Sequence, residues 1–227
     1  SAIGGMFFGF LADRIGRTRS LMASILVYSL ASAACGFSQT IVQLAIFRFV
    51  LGLGMGGEWT TGAALIAETW PPEHRGKALG LMQSTWAIGE MIAAGVTGLV
   101  LPHYGWRAVF FVGILPALIV FWIRRDVPES QIWLERDKQK STSLRVLWRK
   151  DIRWKGLLAT AMNACGMFGY WGLFTWIPAY LSLSTAEGGR GLDLVMTTWW
   201  LILMGVGKWL GYTLFGFSAD AIGRRRS

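Results

Sequence analysis

The stretch Gly9-Phe10-Leu11-Ala12-Asp13-Arg14-Ile15-Gly16-Arg17-Thr18-Arg19 occurs a second time, as Gly216-Phe217-Ser218-Ala219-Asp220-Ala221-Ile222-Gly223-Arg224-Arg225-Arg226. Gly9, Asp13, Gly16, Arg17 and Arg19 all map onto the later copy with one offset of 207 residues. Each copy follows a long apolar run, so each reads as the point where a membrane helix ends in a tight, basic turn. A repeat this long, with an apolar span before each copy, points to a transporter built from two related halves.

Composition agrees. The chain is 53% hydrophobic and 15% charged, with 13 Trp, 13 Phe and 29 Gly. No charged residue falls between Arg19 and Arg48, between Arg107 and Arg124, or between Lys155 and Glu187. A soluble domain of this size would leave large apolar patches in water, whereas about 20 apolar residues cross a bilayer as one helix. The fold class is therefore an all-α, multi-pass membrane protein, truncated to seven expected spans. The first is shortened, from Ser1 to about Ala12. The others are Ser20–Phe37, Val42–Ile66, Ala78–Leu101, Trp106–Ile123, Gly156–Leu181 and Leu194–Phe217. No strand alternation or soluble domain competes with this reading. The chain opens inside a span, with neither initiator Met nor signal peptide, so a piece of a longer protein is expected.

Positive charge gives the orientation. The segments Asp13–Arg19, Glu68–Lys77, Arg124–Lys155 and Asp220–Arg226 hold 18 of the 22 Lys and Arg and alternate along the chain with the other loops. The positive-inside rule places them in the cytoplasm, with the spans in the cell (inner) membrane. The net charge of +9 is thus a topology signal. Nucleic-acid binding would need a solvated basic domain, and none is evident. Cys35 and Cys165 both lie in spans and read as small packing residues. There is no Ser-His-acid set, no metal-ligand cluster and no phosphate-binding Gly-Lys-Ser/Thr loop. Neither enzymatic activity nor a cofactor or metal is expected, and transport would draw on an ion gradient or on the gradient of the substrate itself.

The repeated Gly-x3-Asp-Arg-x-Gly-Arg-x-Arg motif resembles the signature between helices 2 and 3 of the major facilitator superfamily, with the weaker copy between helices 8 and 9. Arg48-x3-Gly52-x-Gly54 resembles that family's fourth-helix motif. Pro128-Glu129-Ser130-x2-Trp133-Leu134 resembles the signature after helix 6 in sugar and metabolite porters, and Glu68-x6-Arg75-Gly76 the loop between helices 4 and 5. The resemblance covers the whole chain and implies the major facilitator fold, two pseudo-symmetric six-helix halves. Residues 1–123 would be helices 2–6 of the N-terminal half, 124–155 the central cytoplasmic loop, and 156–227 helices 7 and 8 of the C-terminal half. Gly54-x-Gly56-Gly57-Glu58, with Gly105-Trp106-Arg107-Ala108-x-Phe110-Phe111-x-Gly113-Ile114-x-Pro116, is similar to the sialate and monocarboxylate proton symporters. This implies an alternating-access importer of a small organic acid or sugar with protons, working as a monomer in the bilayer. A facilitator or exporter of the same fold, or a transporter-like sensor, is the alternative. The fifth helix has Gly89, Gly95 and Gly98 but no Gly-Pro step, which departs from the drug–proton antiporter pattern.

The motif also has a logic of its own. Gly5 and Gly9 share a helix face and would admit a close neighbour. Asp13 stands at a helix C-terminus, where the dipole disfavours a carboxylate, so it needs an Arg or the N-terminus of another helix as partner. Gly16 permits the turn and Arg17 can form a forked pair with a carboxylate. The resemblance implies that Arg17 pairs with Glu68, and that a cluster of Gly9, Asp13, Arg14, Gly16, Arg17, Arg19, Glu68 and Arg75 latches the cytoplasmic gate. Gly216, Asp220, Gly223 and Arg224 would form its second copy, with Asp220 near the start of the helix at Gly76–Leu79. The plainer reading is that these charges only fix topology.

Four ionisable residues lie inside spans: Arg48, Glu58, Glu90 and Lys208. Opposite signs balance, as burial requires. At about 1.5 Å per residue, Arg48 sits some 8 Å from the outer surface, with Glu90 near mid-membrane. Arg48, Glu58 and Glu90 are the candidates for proton coupling. The competing readings are a snorkelling Arg48 and structural pairing of the two acids. Lys208 can snorkel to the cytoplasmic face. For substrate, Asn163, Tyr170 and Trp171 share one face of the seventh helix, and Trp59 and Trp86 are candidates for the same cavity. Helix packing explains such residues equally well. Pro178 is expected to kink that helix, and Trp199 and Trp200 fit an outer interfacial belt. In the central loop, Ser143 is a candidate cap for a short basic helix lying on lipid.

Overall fold

The computed structural model describes residues 1–135 and 150–222, and its elements are helical throughout. Ser143 and the basic helix expected after it, as well as Gly223 and Arg224, lie outside the described residues. The helices are α1 (Ala2–Ile15), α2 (Arg17–Gly36), α3 (Ile41–Thr69), α4 (Arg75–Val112), α5 (Pro116–Asp126), α6 (Gln131–Leu134), α7 (Lys150–Phe174), α8 (Ile177–Ser182) and α9 (Leu194–Ile222). A 3₁₀ turn, Pro72–His74, precedes α4. Among the described residues, four stretches are long and apolar enough to cross a membrane: Arg17–Gly36, Ile41–Thr69, Pro72–Asp126 and Leu194–Ala221. The third, of 55 residues, contains two of the expected spans.

Two compact units emerge. One holds α1–α6 together with α9 from Met204 onward; the other holds α7, α8 and the start of α9 up to Leu203. In the first, α2 packs on α3, α5 and α4, and α1 packs on α3 and α2. Small residues make these approaches possible. A side chain on Gly4 would strike the backbone of Leu53, and one on Gly56 the backbone of Ser1 and Gly5. Short hydroxyls serve the same interfaces while satisfying themselves on carbonyls. Buried Ser20 donates to Phe8 O at 2.9 Å, and buried Thr61 to Gly57 O at 2.7 Å. Around Ile25, Val120 and Ile123, α2 and α5 close an apolar cluster with Leu21, Met22, Tyr28 and Val127.

Prolines cut two expected spans. Proline offers no N–H and collides with the carbonyl four residues back. Ahead of Pro116 the helix ends at Val112, and the chain turns through 3₁₀-type bonds such as Leu115 N–H to Val112 O, 3.1 Å. Ahead of Pro178 it ends at Phe174, so the expected span Gly156–Leu181 is not one kinked helix but α7 and α8. A third interruption lies inside α4, where Gly105 takes φ 73°, a left-handed conformation suited to glycine. The close approach expected of Gly9 is not made among the described residues, where it faces open space; Gly4 and Gly5 meet α3 instead. Cys35 is fully buried, whereas Cys165 is exposed on α7 and packs no interior there.

Candidate gating and transport site

The turn between α1 and α2 is built on Gly16, whose φ of 110° excludes most side chains, and whose missing Cβ leaves room for the Glu129 carboxylate. Arg17 follows at the start of α2, with its side chain 12% exposed. Its guanidinium forks onto Glu68 through Nε at 3.1 Å and Nη2 at 2.8 Å, while Nη1 donates to Asp13 Oδ1 at 2.7 Å. Glu68 belongs to the last turn of α3 rather than to the following loop. One guanidinium thus joins the C-terminal ends of α1 and α3, where helix dipoles are negative and a cation is favoured.

Glu129 is the residue that sequence reasoning passed over. It accepts from the backbone N–H of Arg17 at 2.7 Å and of Thr18 at 3.1 Å through one oxygen, and so caps α2. The signal was there to read. Gly16 has no side chain with which to cap, and the first turn of α2 carries no acid, so its N–H groups needed a carboxylate from elsewhere. Ser130 caps α6 in turn by accepting from Trp133 N–H, and the Trp133 indole donates to Asp13 O at 3.1 Å. Other members of the motif stand apart. Arg14 lies over the Phe10 ring at 4.3 Å, Arg75 donates to Trp70 O at 3.0 Å, and Arg19 is exposed on a groove of 650 Å³ shared with Arg124. None of the candidate substrate residues lines that groove.

The second copy reaches a different partner. Asp220 accepts from the backbone N–H of Lys77 at 2.8 Å, in the first turn of α4. A side chain on Gly76 would occupy the place of the Asp220 carboxylate. One turn on, Gly80 lies so close to Gly216 that neither could carry a side chain without displacing the other. The carboxylate thereby sits at the positive end of the α4 dipole.

Inside the membrane, Lys208 of α9 donates to Glu90 Oε2 of α4 at 2.7 Å, and the other carboxylate oxygen accepts from the Trp86 indole at 2.9 Å. Lys208 therefore points to α4 and does not snorkel. One turn earlier on α4, Gln83 accepts from the Trp59 indole of α3 at 3.0 Å. The Tyr28 hydroxyl of α2 lies beside the Glu58 carboxylate. Arg48 is exposed and lies over the Phe110 ring at 5.0 Å, forming no ion pair among the described residues. In the second unit, Asn163 is exposed on α7, and Tyr170 packs against Trp171 at 5.7 Å and Phe174 at 4.8 Å.

A sequence model of the Major Facilitator Superfamily matches residues 1–227, the whole chain. The chain belongs to the major facilitator superfamily. It is 35% identical to the sialic acid transporter of Escherichia coli (strain K12) over 99% of its length and 54% of that protein. It is 31% identical to a niacin transporter and 32% identical to a cis,cis-muconate transport protein, both of Acinetobacter baylyi. Each of these alignments covers 99% of this chain, with 57% of the niacin and 55% of the muconate protein. The chain thus spans about half the length of these relatives. This major facilitator chain is a multi-pass membrane protein.

Proposed function

We propose that the full-length protein imports a small organic acid together with protons across the inner membrane by alternating access. The observation that carries this reading is the set of intramembrane charges. Two acids lie within the spans: Glu90 accepts from Lys208, and Glu58 lies beside the Tyr28 hydroxyl, so each has a defined seat from which a proton or a neighbouring charge can be exchanged. The relatives carry names of acids, which supports an anionic cargo over a sugar. The Arg17 cluster acts as the latch of the cytoplasmic gate, because it ties three helix ends that must part when that side opens. Asp220 at the start of α4 is the matching latch of the second half.

The test is uptake by the full-length protein in proteoliposomes, across labelled sialate, nicotinate, muconate and hexoses, with and without an inward proton gradient. Gradient-driven accumulation of one acid, lost in Glu58→Gln, is the expected result. Equilibration that ignores the gradient would leave a facilitator. Binding without any flux would leave a sensor.

A further inference from the structure

We propose that the groove between α2 and α5 holds an anionic phospholipid of the cytoplasmic leaflet, with its phosphate between Arg19 and Arg124 and an acyl chain along the apolar floor. The intramembrane acids do not line this groove, so the inference is independent of the proton-coupling reading. Arg19 stands in the first turn of α2 and Arg124 in the last turn of α5, and both line the groove. That end of each helix is the one the positive charges assign to the cytoplasm. Among the described residues, neither guanidinium forms an ion pair. One acid does line the groove, Glu129, but its Oε1 is taken by the backbone N–H groups of Arg17, Thr18 and Ser130. Two cations on one groove, with the neighbouring carboxylate committed to a helix start, call for an anion from outside.

The floor says which anion. On α2 the lining residues Arg19, Met22, Ala23 and Leu26 follow i, i+3, i+4, i+7 spacing, one stripe along the helix. The neighbours of α2 take another face: Ser20 donates to Phe8 O of α1, and Gly54 of α3 lies against Ser24 O and Tyr28. On α5, Val120 lies one turn inward of Arg124. At about 1.5 Å per residue, the stripe carries the groove some 10 Å from Arg19 to Leu26, into hydrocarbon depth. A soluble anion would satisfy the guanidiniums and leave this floor bare. A neutral lipid would cover the floor and leave the two cations without a counter-charge. A phosphodiester with an acyl chain answers both, as basic pockets between helices do at the cytoplasmic side of membranes.

Native mass spectrometry of the full-length protein, titrated with phosphatidylglycerol or phosphatidylcholine, reads the affinity for the first lipid retained. Wild type is expected to hold one phosphatidylglycerol in preference to phosphatidylcholine, and inorganic phosphate should not displace it. Arg124→Gln should weaken phosphatidylglycerol about fivefold, the worth of one guanidinium near an anionic surface. Arg125→Gln removes the same charge one residue on, outside the groove lining, and should change nothing. Ala23→Trp fills the floor while keeping both arginines, and should abolish the preference. Equal retention of the two lipids by wild type would overturn the proposal, as would displacement by inorganic phosphate, which makes the site one for a free anion. Equal losses in Arg124→Gln and Arg125→Gln would reduce it to diffuse attraction by a basic surface. Indifference to both Arg124→Gln and Ala23→Trp would mean that another segment of the full-length chain covers the groove. If Ala23→Trp does not fold, the contrast between Arg124→Gln and Arg125→Gln decides.

Discussion

Asp13 in the first copy of the motif faces a guanidinium, whereas Asp220 in the second faces the N-terminus of a helix. Both acids end an apolar helix, where the dipole is against them, and both have found positive charge. The sources differ because the surroundings differ. At the first copy the nearby helix start, that of α2, is already filled by Glu129, and Asp13 takes Arg17, which it shares with Glu68. At the second copy, Gly76 and Gly80 clear the start of α4, so Asp220 binds backbone directly. The motif therefore specifies a helix end, a turn and an acid; the partner is set by whichever positive group the neighbouring element brings.

Arg17→Ala should break this comparison most severely. It leaves Asp13 and Glu68 side by side without the cation between them; the cluster is half-buried, so the cost lies below the about 3–5 kcal/mol of breaking a fully buried pair. A large fall in the melting temperature of the full-length protein and loss of uptake are expected. Arg17→Lys restores the charge without the fork and should recover only part of either. A wild-type melt for Arg17→Ala would mean that the cluster only marks topology. Next in size is Glu129→Ala, which uncaps α2 at a cost of about 0.5–2 kcal/mol. Hydrogen exchange should quicken at the Arg17 and Thr18 amides and stay unchanged at the first turn of α4.

The first copy was the more legible of the two in sequence, and the reason is distance along the chain. The turn at Gly16 and the reach of Arg17 to Asp13 are local, four residues apart, and follow from the residue types. The Glu129 cap spans 112 residues and the Lys208–Glu90 pair 118, so helix packing decides them. Pro116 and Pro178 were less legible: the expected span Trp106–Ile123 runs through the first and the second is expected only to kink its span, whereas the helices end at Val112 and Phe174, four residues before each proline. Gly9 misled because a shared face with Gly5 says where a neighbour is allowed, not that one comes.

Asp220→Asn sharpens the second half of the comparison with a smaller effect. The amide oxygen still accepts from Lys77 N–H, so only the interaction of charge with the α4 dipole is lost, about 0.3–1 kcal/mol. The same change at Asp13 removes a partner of a guanidinium and should cost more. Equal losses at the two sites, measured as paired melting temperatures, would erase the distinction drawn between them.

An effect of the same small size is the most telling. Asp220 binds the backbone N–H of Lys77, and the Lys77 ammonium lies instead over the Phe217 ring at 5.6 Å. Lys77→Ala keeps the N–H and the helix dipole, and gives up a cation–ring contact worth about 0.5–1 kcal/mol at an exposed site. Its melting temperature should fall by no more than that contact allows, and Lys77→Ala combined with Asp220→Asn should be additive, since the two changes touch different partners. Strong non-additivity would show that the Lys77 charge holds Asp220 after all. The second copy would then be an ion pair like the first, differing in geometry alone.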